Sequence, residues 1–196
     1  MGHSVRQRRA REPGLTEPRA VDVRVGSSTD ALTPISVATR SLAARWPQWT
    51  ALGVVVAAAV LADQVTKHIV SSELALDDKV QVLGPFSIHH VQNSGIAFGL
   101  FANATGVVTA LTAIAVGWML AFFARSGSRH PVLPIALGLL IGGSSSNLVD
   151  RIRLGHVTDF LDFRYWPAFN LADTFIVVGV AVLFAAILLG DTRGKT

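Results

Sequence analysis

Cysteine is absent from this chain of 196 residues. That excludes a disulfide, a thiolate zinc site and a cysteine nucleophile, and it leaves the redox compartment open. Charge is scarce too: 15% of residues are Asp, Glu, Lys or Arg, against roughly 25% in soluble domains. Hydrophobic residues make up 51% and mean hydropathy is +0.47. Both point away from a water-soluble fold and towards lipid as solvent.

The little charge there is lies unevenly. Arg6, Arg8, Arg9, Arg11, Arg19, Arg24, Arg40 and Arg45 all fall in the first 45 residues, which mix Arg, Glu, Pro, Gly, Ser and Thr without periodicity. Residues 1–45 read as a disordered basic tail, ahead of a membrane domain over 46–196. The tail shows no Lys/Arg–aromatic interleaving and no nucleic-acid-binding fold follows it, so no nucleic acid is expected as partner. Beside an apolar segment the positive-inside rule is the simpler account. Arg8-Arg9 is too far ahead of the first apolar run for a twin-arginine export signal.

Four apolar runs approach the ~20 residues that span a bilayer: about 50–70, 106–124, 132–149 and 169–189. Trp46, Pro47 and Trp49 anchor the first at the interface, and Trp118, Tyr165 and Trp166 read as further interfacial aromatics. The Arg125/Arg129 loop and the Arg193/Lys195 end fall on the side of the basic tail, so both termini are expected in the cytoplasm. Between the first two spans, Lys79–Val82 and Ser87–His89 alternate around Gly84-Pro85, which suggests a small hairpin. The neighbouring His89 and His90 point to opposite faces of such a strand and make a poor metal site. Asn93-Ser94-Gly95 then forms a turn.

With this topology several acids reach one membrane depth at the outer face. Asp150 ends the third span, Asp173 begins the fourth, and Asp63 lies near the outer end of the first. Asn147 and Asn170 each precede an aspartate by three residues, one helical turn away. Acids beside lipid-facing segments need a reason. Two carboxylates can hydrolyse a peptide bond without metal or cofactor, one ionised as base and the other protonated as acid. The helix dipole makes Asp150 the expected acid and Asp173 the expected base. Asp63 and Lys67, four apart, form a structural pair on one helix face. Asp159 and Asp162 are expected to order the outer loop.

These residues also carry a resemblance. Asp63-Gln64-x-x-Lys67, Asn93-x-Gly95-x-Ala97-Phe98, Gly142-Gly143-x-x-x-Asn147-x-x-Asp150-Arg151, Val157-x-Asp159-Phe160-x-Asp162-Phe163 and Phe169-Asn170-x-Ala172-Asp173 together resemble lipoprotein signal peptidase (signal peptidase II), over about 46–189. The resemblance implies a membrane all-α fold: four transmembrane helices, a small extracytoplasmic β-sheet matching 79–92, and a short amphipathic loop helix near 99–105. It implies an aspartyl endopeptidase of the bacterial inner membrane, active towards the outer face. Such an enzyme removes signal peptides from prolipoproteins just before a diacylglyceryl-modified cysteine. It implies Asp150 and Asp173 as catalytic residues, with Asn93, Gly95, Asn147, Arg151, Asn170, Asp63 and Lys67 around the substrate. Partners are then the lipid-modified prolipoprotein and membrane lipid, with a monomer and no metal expected. Ser144-Ser145-Ser146 departs from the family's usual Ala and Gly.

Two rival chemistries fit parts of the pattern. A serine–lysine peptidase would use one of Ser144–Ser146 with a neutral Lys67, but leaves Asp150 and Asp173 idle. An ion or proton relay would use paired intramembrane acids, but calls for polar groups at mid-depth rather than at one side.

Overall fold

The computed structural model describes residues 43–95 and 105–192, with side chains described up to residue 188. Most of the basic tail and the segment expected to hold the amphipathic loop helix therefore lie outside the described residues. Within them are four helices: α1 (Trp46–Glu73), α2 (Thr105–Ser126), α3 (Leu133–Leu154) and α4 (Leu171–Thr192). Each is long and apolar enough to cross a membrane. At 1.5 Å per residue, the 28 residues of α1 reach about 42 Å, well past a ~30 Å hydrocarbon core. Its last turns can therefore stand in the interface and carry polar residues there.

Four strands complete the fold: β1 (Lys79–Leu83), β2 (Phe86–Asn93), β3 (Val157–Phe163) and β4 (Trp166–Phe169). They form one antiparallel sheet in the order β1-β2-β3-β4. Only the β1–β2 hairpin is foreseen from alternation. The β3–β4 hairpin occupies the polar stretch before α4, whose first residue is Leu171 rather than Phe169. Ser87 pairs with Asp162 and Gln92 with Thr158, so β3 binds the first hairpin to the second. The sheet follows the C-terminal ends of α1 and α3 and precedes the N-terminal ends of α2 and α4. It therefore caps one end of the bundle. At the other end, the Ala44 N–H donates to the Ala124 carbonyl (3.0 Å) and Trp49 meets Phe123 edge-to-face at 5.0 Å.

Helix α3 is the hub. Two thirds (67%) of its apolar window is buried, against 11–17% for the other three helices. Lipid tails are as apolar as leucine, so helices in a bilayer gain most from close backbone approach. Glycines on α3 permit that approach: a Cβ on Gly142 would lie 2.8 Å from the Ala59 Cβ of α1, and one on Gly143 would collide with the Ala172 carbonyl of α4. The helix stops at Gly155, whose φ of +79° suits the left-handed cap that glycine adopts without strain. Gly142→Leu should thus lower the thermal unfolding midpoint in detergent by several degrees, an overpacking cost of about 1–3 kcal/mol. Gly117→Leu, on an α2 face with nothing within 4 Å, should leave it unchanged.

Candidate active site

The site is built on polar groups where α1, α3 and α4 meet beneath the sheet. Its centre is Lys67, only 5% exposed. The ammonium lies 2.6 Å from Asp63 Oδ2 and 2.7 Å from Asp150 Oδ2, and donates to Asn147 Oδ1 at 2.8 Å. Asp63, fully buried, uses its other oxygen to accept the Ala172 N–H (2.9 Å). It thereby satisfies an orphan donor in the first turn of α4, and its charge faces the positive end of the helix dipole. Ser146 Oγ donates to Asp63 Oδ2 (2.7 Å) and accepts from Gln64 Nε2 (3.0 Å). Gln64 also donates to Asp150 Oδ1 (2.7 Å).

Asp173 is set by the way α4 begins. Asn170 is the residue before the helix; its Oδ1 accepts the Asp173 N–H (2.9 Å), and Asp173 Oδ2 accepts the Asn170 N–H (3.3 Å). This reciprocal arrangement is a capping box with Asn and Asp in the two roles. The second Asp173 oxygen accepts from Asn147 Nδ2 (2.8 Å). Asn147 thus stands between Lys67 and Asp173 with both ends of its amide engaged.

Asp159, on β3, joins this group from above. Asn170 Nδ2 donates to its Oδ1 (2.7 Å) and Asn93 Nδ2 to its Oδ2 (2.9 Å). Gly95 follows through a turn in which its N–H donates to Asn93 Oδ1 (3.0 Å), and its carbonyl accepts from Arg151 Nη2 (2.9 Å). A cavity of about 540 Å³ opens beside these groups, lined by Asn93, Asn147, Arg151, Asp159 and Asp173 together with apolar side chains of β4 and α4. Burial pushes the Asp159 carboxyl up to about 7; the neighbouring Asp173 charge adds to the rise, while the Asn93 and Asn170 hydrogen bonds and Lys67 oppose it. Asp162 differs. Its hydrogen bond from Lys79 (2.5 Å) holds it below the usual carboxylate range, and with His89 (3.2 Å) it ties β1 and β2 to β3.

The structure sets Asp150 and Asp173, the acids that the sequence reading pairs, in different surroundings. Asp150 and Asp173 do reach one layer, linked through Lys67 and Asn147, but their carboxylates take separate partners. Asp150 lines a second, smaller cavity with Gln64 and Lys67, and the larger cavity pairs Asp173 with Asp159. The physical reason is charge. Lys67 faces both Asp63 and Asp150, and a buried ammonium–carboxylate pair holds its members together. Asn93, Asn147 and Arg151 line the larger cavity, Asn170 bonds to its Asp159, and Gly95 bonds to Asn93 and Arg151 of the lining. Asp63 and Lys67 sit behind it as support. Gln64 and Ser146 escaped notice as members of the network, and Asp159 as a member of the cavity. Asp159 was hidden because it holds an inward position on β3 beside Val157, where alternation favours an apolar residue.

Fold and site define a multi-pass membrane protein with acids gathered at one end of a four-helix bundle, beside a largely apolar cleft. The family profile of signal peptidase II matches residues 55–189. The chain belongs to that family, and is a peptidase of it. Among relatives named lipoprotein signal peptidase, that of Symbiobacterium thermophilum is 42% identical over 141 residues, covering 69% of this chain and 93% of its own length. That of Pelotomaculum thermopropionicum is 42% identical over 142 residues, covering 72% and 93%. A bacterial membrane enzyme structure obtained by the in meso method at 2.3 Å matches with a TM-score of 0.68 and 29% identity, over 74% of this chain and 91% of that one.

Two outcomes follow from the electrostatics. Lys67→Met strands Asp63 and Asp150 without their cation, and should cost about 3–5 kcal/mol in denaturant unfolding followed by tryptophan fluorescence. Asp159 binds its proton more tightly folded than unfolded, so its contribution to stability is present below about pH 4 and lost as pH rises through about 7. Unfolding midpoints measured from pH 4 to 8 should therefore fall more steeply for wild type than for Asp159→Asn, which has no proton to lose.

Proposed function

We propose that this protein is an intramembrane aspartyl endopeptidase that removes signal peptides from diacylglyceryl-modified prolipoproteins, cutting before the lipidated cysteine. Asp159 and Asp173 form its catalytic pair. The observation that carries this reading is their placement: two carboxylates line one cavity at an end of the bundle, with amides from Asn93, Asn147 and Asn170 fixing them. The family and the names of the relatives support the substrate class. The apolar cleft wall on α4, with Ile176 and Val177, suits a lipid chain arriving sideways from the bilayer.

Two carboxylates sharing a site resist double ionisation, so the pair holds one proton. Asp159 carries it and Asp173 is the base. Asp173 takes a proton from water as the water oxygen bonds to the scissile carbonyl carbon, and Asp159 gives its proton to the carbonyl oxygen. The tetrahedral diol then collapses: the C–N bond breaks, the nitrogen takes the proton held by Asp173, and a hydroxyl proton returns to Asp159. A carboxyl-terminated signal peptide and a free amino group on the cysteine leave. General acid–base groups of this kind contribute about 10²–10⁴-fold each.

Asn93, Asn147 and Asn170 orient the pair, Arg151 and Gly95 shape the rim, and Asp63 with Lys67 fixes α1 and α4 behind it. The serine–lysine route is disfavoured: Ser146 is fully buried and donates to Asp63, and the Lys67 ammonium is engaged by two carboxylates. A relay is disfavoured because the acids gather at one end. In the inner membrane, the sheet end faces outward and the end with Arg45, Arg125 and Arg129 faces the cytoplasm. Residues 1–45 are a basic N-terminal segment ahead of the peptidase domain of 46–196, and the chain acts as a monomer.

Cleavage of a diacylglyceryl-modified prolipoprotein in detergent tests the pair. Asp159→Asn and Asp173→Asn should each reduce turnover at least about 10³-fold with near-normal unfolding midpoints. Asp150→Asn should lower the midpoint, by loosening Lys67, yet keep measurable turnover. An active Asp159→Asn enzyme would sink the assignment.

A further inference from the structure

The polar junction separates two chambers. On one side is the apolar cleft with Asp159 and Asp173. On the other is a cavity of about 360 Å³ between α1, α3 and β3, lined by Gln64, Lys67, Ser71, Asp150, Arg153 and Thr158 among others. The partition between them is about one side chain thick. Asn147 lines the cleft, accepts from Lys67 of the smaller cavity (2.8 Å) and donates to Asp173 (2.8 Å). Thr158 and Asp159, neighbours on β3, face opposite chambers, as successive residues of a strand must.

The linings decide what each chamber holds. Cavities with several polar partners retain water and apolar ones stay dry. The smaller cavity offers an amide, two hydroxyls, a carboxylate and two cations, in a space large enough for several waters at about 30 Å³ each. The cleft offers mostly aliphatic and aromatic walls, and a lipidated peptide seated there displaces what water it holds. Hydrolysis nevertheless consumes one water per bond cut.

We propose that the smaller cavity is a water site that supplies the hydrolytic water to Asp173 across the Lys67–Asn147 partition, from the side opposite the lipid. The inference rests on the hydrolytic reading of Asp159 and Asp173. Ser71, exposed at the outer end of α1, marks its mouth, and Thr158, 5% exposed, marks its floor. Substrate and water then reach the pair from different faces, and the substrate need not leave for water to enter.

The lack of native cysteine makes this directly testable in lipid nanodiscs with a charged methanethiosulfonate, which reacts with a thiol only where water reaches it. A thiol in Thr158→Cys should react within about 100-fold of the rate for Ser71→Cys, while Ile114→Cys, on the lipid-facing surface of α2, should not react. Attaching the reagent to Ser71→Cys should lower kcat at least tenfold relative to the same variant unlabelled, with KM changed less than twofold. A Thr158→Cys thiol as inert as that of Ile114→Cys overturns the proposal. So does a labelled Ser71→Cys enzyme that cuts as fast as its unlabelled form, and this readout decides alone if Thr158→Cys does not fold. Labelling needs no turnover, so a reactive Thr158→Cys alongside an active Asp159→Asn enzyme would discard the catalytic pair and leave the wet cavity standing.

Discussion

One ammonium group holds the junction of three helices. Lys67 reaches two buried carboxylates, Asp63 and Asp150, and the Asn147 amide, each within 2.8 Å. Bringing a single charge into a low-dielectric interior costs several kcal/mol after relaxation, and here two acids share one cation. The remaining lone pairs are met by neutral donors: Ser146 and the Ala172 N–H on Asp63, and Gln64 on Asp150. Lys67, Asp63 and Gln64 stand on α1, Ser146, Asn147 and Asp150 on α3, and Ala172 on α4, so separating α1 from α3 would strand a charge. Apolar packing between helices in lipid offers no such specificity. The polar core therefore selects which helix faces meet, and glycines at 142 and 143 let them meet closely enough.

The same constraint explains why the acids divide their work. Asp63 and Asp150 are committed to Lys67. Asp173 lies one step further out, contacted by Asn147 and by the capping box of α4, and Asp159 is brought down to it by β3. A strand is well suited to that task, since its alternation sends Asp159 to the cleft and Thr158 to the opposite chamber without a loop. The sheet thus positions one acid of the proposed pair while the bundle positions the other, and Asn170 joins them by donating to Asp159 and accepting from the Asp173 N–H.

The spans were legible because length and hydropathy are properties of one segment at a time, and the depth of the acids followed from alternating helix direction. Asp63–Lys67 was legible as a pair four residues apart, though not its third member. Whether Asp150 or Asp159 stands beside Asp173 depends on rotation about α3 and on the pairing of β3 with β2. Both are set by contacts between residues more than sixty positions apart in the chain, such as Asn93 with Asp159 and Gln64 with Asp150. The N-L-V-D and N-L-A-D repeats look alike in sequence, yet one lies at the C-terminal end of a helix and the other at an N-terminal end. Only the second can form a capping box, so the likeness conceals two different environments.

That asymmetry bears on the proposed acid–base cleavage of a peptide bond in lipid. A proton-sharing pair works only if its two carboxyl groups stand in unlike surroundings, and two identical helix ends would not provide them. Here one acid comes from a helix N-terminus and the other from a buried strand position, where desolvation raises Asp159 to about 7. The lysine can stabilise the bundle because it is kept one residue away from the proposed pair: Asn147 accepts from Lys67 and donates to Asp173, so it passes on a hydrogen bond without passing on the charge.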